Sequence, residues 1–301
     1  MLTEMPLRSM RDRFLLIRSL PTFAGLDEDA LTLLVEHARS RTFRAGETVV
    51  AEGEPLRAAH IVIEGQITSK RKGKLLAVVT RGRGVGMLSI MARDPAGVHA
   101  VADVDTLTLT IPSDVMLDAI ETNFAVARNT LRLCASSLVK KRGHLPAPPD
   151  RPPPFSMGEY HARPRTMVEL LIDLRANPGI LADCNIDALI SVARSVEEIR
   201  VEPGHLFWKI GEPSSHWLRV SYGRVRCTSA DGKAVDVGSR FVLGVMDALG
   251  NEPRSYEARA ETNVIAFQTQ LESFLSLLEN HFDLARDFIA MLAMAVLETP
   301  G

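Results

Sequence analysis

Along the 301-residue chain, the spacing of apolar and polar positions passes through the same series of changes twice. Apolar residues recur at helical spacing over Met10–Leu20 and Asp27–Ala38, which predicts two amphipathic helices, the second capped by Asp27. The spacing returns over Thr166–Ala176 and Asn185–Arg194, with Asn185 as the cap. Each pair leads into short β-branched runs punctuated by glycine. These predict strands at Thr48–Val50, Ala59–Ile63, Gln66–Ser69, Leu75–Thr80 and Thr106–Ile111 in the first half. The second set is Leu206–Lys209, Trp217–Val220, Val225–Thr228, Ala234–Val237 and Val264–Gln268. Strands this short and closely spaced indicate an antiparallel sandwich or barrel. Helical spacing closes each half, over Asp114–Lys141 with a break near Asn123 and over Leu271–Leu297 with a break near His281.

The two halves are one domain repeated. A shift of 158 residues aligns them without a gap from Phe23 to about Leu138. Asp29-Ala30-Leu31 falls on Asp187-Ala188-Leu189, Gly53-Glu54-Pro55 on Gly211-Glu212-Pro213, Gly65 on Gly223, Gly86 on Gly244 and Pro95 on Pro253. The shared residues are mostly turn formers, which set backbone geometry, whereas those between them mostly differ. This pattern describes one fold kept twice with two different pockets. Seven of the 17 prolines lie between Pro146 and Pro164, where lost backbone donors and a fixed φ predict an extended linker. The expected organisation is a first domain over 1–143, a linker over 144–162 and a second domain over 163–301.

Composition narrows the function. The chain is 46% hydrophobic and 24% charged, with 35 basic and 37 acidic residues, so nothing in its balance favours nucleic acid or an anionic membrane. The N-terminal residues are broken by charge and no long uncharged apolar run exists, so neither a signal peptide nor a membrane span is expected. Three scattered cysteines and no metal-ligand spacing fit a reducing, cytoplasmic setting with no metal site. Gly82-Arg83-Gly84-Val85-Gly86 lacks the third glycine of a dinucleotide fingerprint. Lys70-Arg71-Lys72 reads as a solvated hairpin tip, and Trp208 and Trp217 as packing residues. No nucleophile stands at a strand-to-helix turn, so the chain is expected not to be an enzyme.

Four features, present in both halves, carry a family resemblance: AGETVVAEGEP with PGHLFWKIGEP, IVIEGQI with RVSYGRV, GVGMLSIMARDPAGVHAVA with LGVMDALGNEPRSYEARA, and the closing helices. Together they resemble the cyclic nucleotide-binding domain of catabolite activators and kinase regulatory subunits. The resemblance implies a mainly β fold with flanking α: two tandem eight-stranded antiparallel jelly rolls, each with N- and C-terminal helices.

The family's phosphate-binding cassette runs Gly-Glu-Leu-Ala-Leu, four residues, then Pro-Arg-x-Ala-Thr. Its Glu takes the ribose hydroxyl and its Arg the cyclic phosphate, where a guanidinium fork suits a planar anion edge. The Gly-to-Pro spacing is kept twice here. In the first cassette (Gly86, Met87, Ala96, Gly97, Val98), Met87 stands at the Glu position, Ala96 at the Arg position and His99 at the Thr position. In the second (Gly244, Val245, Arg254, Ser255, Tyr256), Val245 replaces the Glu, Arg254 is retained and Glu257 stands at the Thr position. Losing both charged partners would cost the first pocket about 3–6 kcal/mol. Arg254 reads either as a phosphate ligand or as a surface arginine paired with Glu252 or Glu257.

The function expected is a non-enzymatic regulatory or sensor protein acting through a protein partner. Its first pocket would be inactive, and its second an altered anion site for a cyclic nucleotide or other phosphate-bearing ligand. The alternative is a ligand-independent interaction scaffold with both pockets dead. No helix-turn-helix follows the second repeat, so no nucleic-acid partner is expected. The last helix is apolar on more than one face, which predicts a homodimer through the C-terminal helices.

Overall fold

The computed structural model describes residues 9–94, 97–142, 145–146, 157–176 and 180–299. Ala96 and most of the proline-rich linker lie outside the described residues. The first half opens with α1 (Met10–Ser19) and α2 (Glu28–His37), joined through a 3₁₀ turn at Pro21–Phe23. Ser9 and Asp27 cap them by accepting from Asp12 N and Ala30 N, which satisfies donors that a helix start leaves free.

Strands follow as β1 (Arg39–Phe43), β2 (Thr48–Val50), β3 (Ala58–Glu64), β4 (Ile67–Arg71), β5 (Lys74–Val79) and β6 (Gly84–Val85). A short helix, α3 (Met87–Met91), precedes β7 (His99–Ala102) and β8 (Thr106–Pro112). The half closes with α4 (Ser113–Thr122) and α5 (Phe124–Arg142), separated at Asn123.

The second half repeats the order. Helices α6 (Met167–Arg175), α7 (Ile180–Asp183) and α8 (Ile186–Ser195) lead into β9 (Val196–Val201), β10 (Leu206–Trp208), β11 (His216–Tyr222), β12 (Val225–Ser229), β13 (Ala234–Val237) and β14 (Val242–Leu243). Then come α9 (Val245–Gly250), β15 (Tyr256–Ala260), β16 (Val264–Gln270), α10 (Leu271–Asn280) and α11 (Phe282–Glu298).

Among the described residues, each repeat thus contributes eight antiparallel strands in two four-stranded sheets, the jelly roll that the resemblance implied. The first repeat has the orders β1-β8-β3-β6 and β2-β7-β4-β5, and the second has β9-β16-β11-β14 and β10-β15-β12-β13. The sheets are not joined into closed barrels. The same bulge recurs at Val62/Glu64 and Val220/Tyr222, followed by Gly65 and Gly223, both at φ 96°. A side chain at Gly65 would meet the Asp105 carbonyl at 2.8 Å, so the turn requires glycine.

Strand β1 (RSRTF) carries one apolar residue, and in β9 (VEEIRV) the apolar positions Val196, Ile199 and Val201 alternate only at its end, so neither run stands out in the sequence. They form because β8 and β16 offer them a full antiparallel register.

The chain folds as two compact units whose limits fall inside the closing helices. Unit 1 comprises residues up to Cys134 together with those from Ile289 onward; unit 2 comprises Ala135–Phe288. The C-terminal half of α11 therefore belongs to unit 1, where Ile289, Leu292, Val296 and Leu297 are buried. On the same helix Met291 is 43% exposed.

In unit 2, Trp208, Leu218, Val220, Val225, Cys227 and Tyr256 lie in one core between the sheets. Residues 157–165 carry neither helix nor strand. They are tied to unit 2 through Arg200, which donates to the carbonyls of His161 and Arg163, and through Met157 O, which accepts from Gly223 N at 2.7 Å. Among the described residues, no helix is long and apolar enough to cross a membrane.

Candidate functional site

In unit 2 the cassette begins where β14 ends. Gly244 adopts φ 79°, which turns the chain into α9. A Cβ at this position would collide with the guanidinium of Arg254, so the approach of that side chain requires glycine. Arg254 is only 1% exposed. Its Nη1 donates to Gly244 O at 3.3 Å and its Nη2 to His216 O at 2.5 Å. The guanidinium carbon lies 4.0 Å from the ring centroid of Trp208, a stacked cation–π contact. Nε has no hydrogen-bond partner, and no carboxylate lies within ion-pair distance among the described residues. Burial pulls the guanidinium pKa down, opposed by the nearby Tyr256, Asp247 and Glu212.

Tyr256 completes the arrangement. Its hydroxyl accepts from Gly244 N at 2.7 Å, and its ring lies 5.9 Å from that of Trp208. The backbone N–H at the head of the cassette is therefore already engaged. Ser255 donates from N and Oγ to Asp247, at 3.0–3.1 Å. Desolvation raises the Asp247 pKa, while the Ser255 bonds and Arg254 lower it. Val245 stands half-buried in the first turn of α9 and brings no polar group.

The surface-pair reading of Arg254 does not describe this geometry. Glu257 pairs with Arg259 at 3.0 Å, and Glu252 accepts from Ser136 Oγ at 2.6 Å and faces Lys140 Nζ at 3.8 Å. Strand alternation explains the first of these: Tyr256 and Ala258 point into the core of β15, so Glu257 points away.

In unit 1 the same backbone frame holds other chemistry. Gly86, at φ 88°, heads α3, and Met87 packs where its sulfur accepts from Thr22 Oγ1 at 3.9 Å. Val98 is buried. At the basic hairpin tip Lys70, Lys72 and Lys74 are exposed as expected, but Arg71 is not. Arg71 ends β4 with 9% exposure, forms an ion pair with the buried Asp94, and donates from Nη1 to Gly97 O at 2.9 Å and from Nη2 to Met294 Sδ at 3.7 Å. The hydrogen bond to Asp94 is the main influence raising the Arg71 pKa; burial opposes it, and Glu298 adds attraction.

The sequence thus located Gly244, Arg254 and Tyr256 together, and Gly86 and Gly97 around the first cassette. It did not reveal Trp208 as the lid on Arg254, Asp247 as the partner of Ser255, or the Arg71–Asp94 pair. The signal available for Arg71 was its place next to a turn; which way it folded depended on Asp94, 23 residues away.

A comparison with curated protein sequences finds no significant match. Among solved structures, the chain is similar to the regulatory subunit of a cAMP-independent protein kinase A from Trypanosoma cruzi bound to guanosine. That match is 16% identical and covers 94% of this chain and 89% of the other, with a TM-score of 0.38. It is also similar to the sensor domain of the transcriptional regulator DNR from Pseudomonas aeruginosa, at 20% identity over 46% of this chain and 96% of that one, with a TM-score of 0.40. A cyclic nucleotide-binding-like protein from Brucella abortus matches at 25% identity over 36% of this chain and 98% of its own, with a TM-score of 0.32. The family profile described as cyclic nucleotide-binding domain matches residues 40–123 and again 198–281. With both jelly rolls matched over more than half of its length, the chain belongs to the cyclic nucleotide-binding domain family and carries two such domains in tandem.

Proposed function

We propose that this chain is a non-enzymatic regulatory module whose two cassettes are closed by the protein's own groups and which acts through a protein partner. One observation carries the reading. The Gly244 N–H and the Arg254 guanidinium, groups that a cyclic phosphate would use, are engaged by Tyr256 and by the carbonyls of Gly244 and His216 beneath Trp208. Seating a nucleotide in unit 2 requires moving a tryptophan that is 2% exposed and breaking hydrogen bonds to a charged group, each worth about 1.5–3 kcal/mol. Val245 offers no carboxylate to a ribose in return. In unit 1, Met87 replaces that carboxylate and Arg71 is committed to Asp94. The partner is a different protein rather than a second copy, because α11 finds its apolar cover within the chain.

A second reading is favoured by the electrostatics of Arg254. A buried cation without a carboxylate at ion-pair distance is costly, and a phosphate-bearing ligand such as a cyclic nucleotide would supply a directly paired charge once Trp208 swings aside. Thermal unfolding separates the two readings, with and without millimolar cyclic AMP, cyclic GMP and cyclic dinucleotides, in the natural protein and in Arg254→Ala. A ligand at about 100 times its dissociation constant adds roughly 2.7 kcal/mol, a shift of several degrees. The closed-cassette reading expects midpoints within a degree of the unliganded protein. A shift that disappears in Arg254→Ala would overturn it and establish the second pocket as the sensor.

A further inference from the structure

The two closing helices meet their cassettes through equivalent positions. Ser136 and Met294, like Lys140 and Glu298, are separated by the repeat length of 158. In unit 2, Ser136 Oγ donates to Glu252 at 2.6 Å, and Lys140, one turn further along α5, faces the same carboxylate at 3.8 Å. In unit 1, Met294 Sδ accepts from Arg71, and Glu298 stands one turn further along α11 on the face that Met294 shares.

The cassettes present opposite charges because of one residue. Both carry an acid immediately before the cassette proline, Asp94 and Glu252. In unit 1, Arg71 neutralises that acid and turns a cation toward the helix. In unit 2 the equivalent position is Ser229, which bonds within its own hairpin to Asp231 and to the carbonyl of Lys233, so the acid itself meets the helix.

We propose that Lys140 on α5 and Glu298 on α11 form a charge code that matches each closing helix to one cassette, α5 to the Glu252 cassette and α11 to the Arg71 cassette. The opposite assignment sets Lys140 against Arg71 and Glu298 against Glu252, like charge against like. The code therefore disfavours pairing of a repeat with the same repeat of a second copy, in which α5 would seat on a first cassette. One polypeptide thereby specifies its own helix assignment. This inference concerns helix assignment and does not depend on whether either cassette binds a ligand.

The test is thermal unfolding of the full chain at low ionic strength. Lys140→Glu and Glu252→Lys are each expected to lower the midpoint by about 1–3 °C, and the double variant by less than the sum, because the pair is restored with its signs exchanged. Glu298→Lys is expected to melt below Glu298→Gln, since reversal adds repulsion from Arg71 where neutralisation only removes attraction. Both helix positions are exposed, so folding itself is not at risk. Additive losses in the first series, or equal midpoints for the two Glu298 variants, would overturn the code.

Discussion

The two cassettes share a frame and solve the same electrostatic problem in opposite ways. Gly86 and Gly244 turn the chain at φ 88° and 79° into helices at the same repeat position. Unit 1 brings in a cation from β4 and pairs it with Asp94. Unit 2 keeps a cation inside the cassette and shields it with an aromatic ring and two carbonyls, with no carboxylate at ion-pair distance among the described residues. A fold set by glycines and turn residues tolerates either solution, provided each buried charge meets complementary groups. Retention of a cassette arginine is therefore a statement about charge burial before it is one about nucleotide binding.

The sharpest way to break this comparison is to remove each arginine in turn. Arg71→Met removes the ion pair of the Asp94 carboxylate, 2% exposed, and is expected to cost about 3–5 kcal/mol in urea unfolding. A cost near zero would mean that the pair contributes nothing.

Acid separates the repeats next. His60 stands where the second repeat has Leu218, and burial, aided by Arg41, lowers its pKa from 6.5 to about 4. The folded chain refuses a proton that the unfolded chain accepts. Its contribution is whole above pH 6.5, is lost as pH falls toward about 4, and amounts to about 3 kcal/mol. Urea midpoints between pH 7 and pH 4.5 should fall less steeply in His60→Leu than in the natural protein; parallel slopes would refute the assignment.

Within unit 2, Tyr256→Phe strips the acceptor from Gly244 N–H and should cost about 1–3 kcal/mol by the same measurement. Arg254→Met is expected to have the smallest effect, within about 1–2 kcal/mol, because Asp247 keeps its hydrogen bonds from Ser255 and an apolar side chain can fill the space beneath Trp208. A loss as large as that of Arg71→Met would erase the distinction between the two cassettes.

Much of the fold was legible in sequence where local chemistry is decisive. The caps at Asp27 and Asn185, the strands Thr48–Val50 and Ala234–Val237, and the helix breaks at Asn123 and His281 all follow from residues within a few positions. The edge strands β1 and β9 were not legible, because charged and polar residues interrupt their few apolar positions and their pairing comes from β8 and β16. The site divided along the same line. The Gly-to-Pro spacing located both cassettes, since backbone geometry repeats wherever its turn formers do. The burial of Arg254 beneath Trp208, 46 positions earlier in the chain, carried no local mark.

The sequence by itself determined that one jelly roll is built twice and that a Gly-to-Pro spacing recurs in both, with Met87 and Val245 directly after its glycines. Only the tertiary structure decided that Arg71 turns inward, that Tyr256 engages the cassette N–H, and that the end of α11 belongs to unit 1. The reason is physical. Turns and caps are closed by hydrogen bonds between near neighbours, whereas the environment of a buried charge is the sum of groups that only folding brings together.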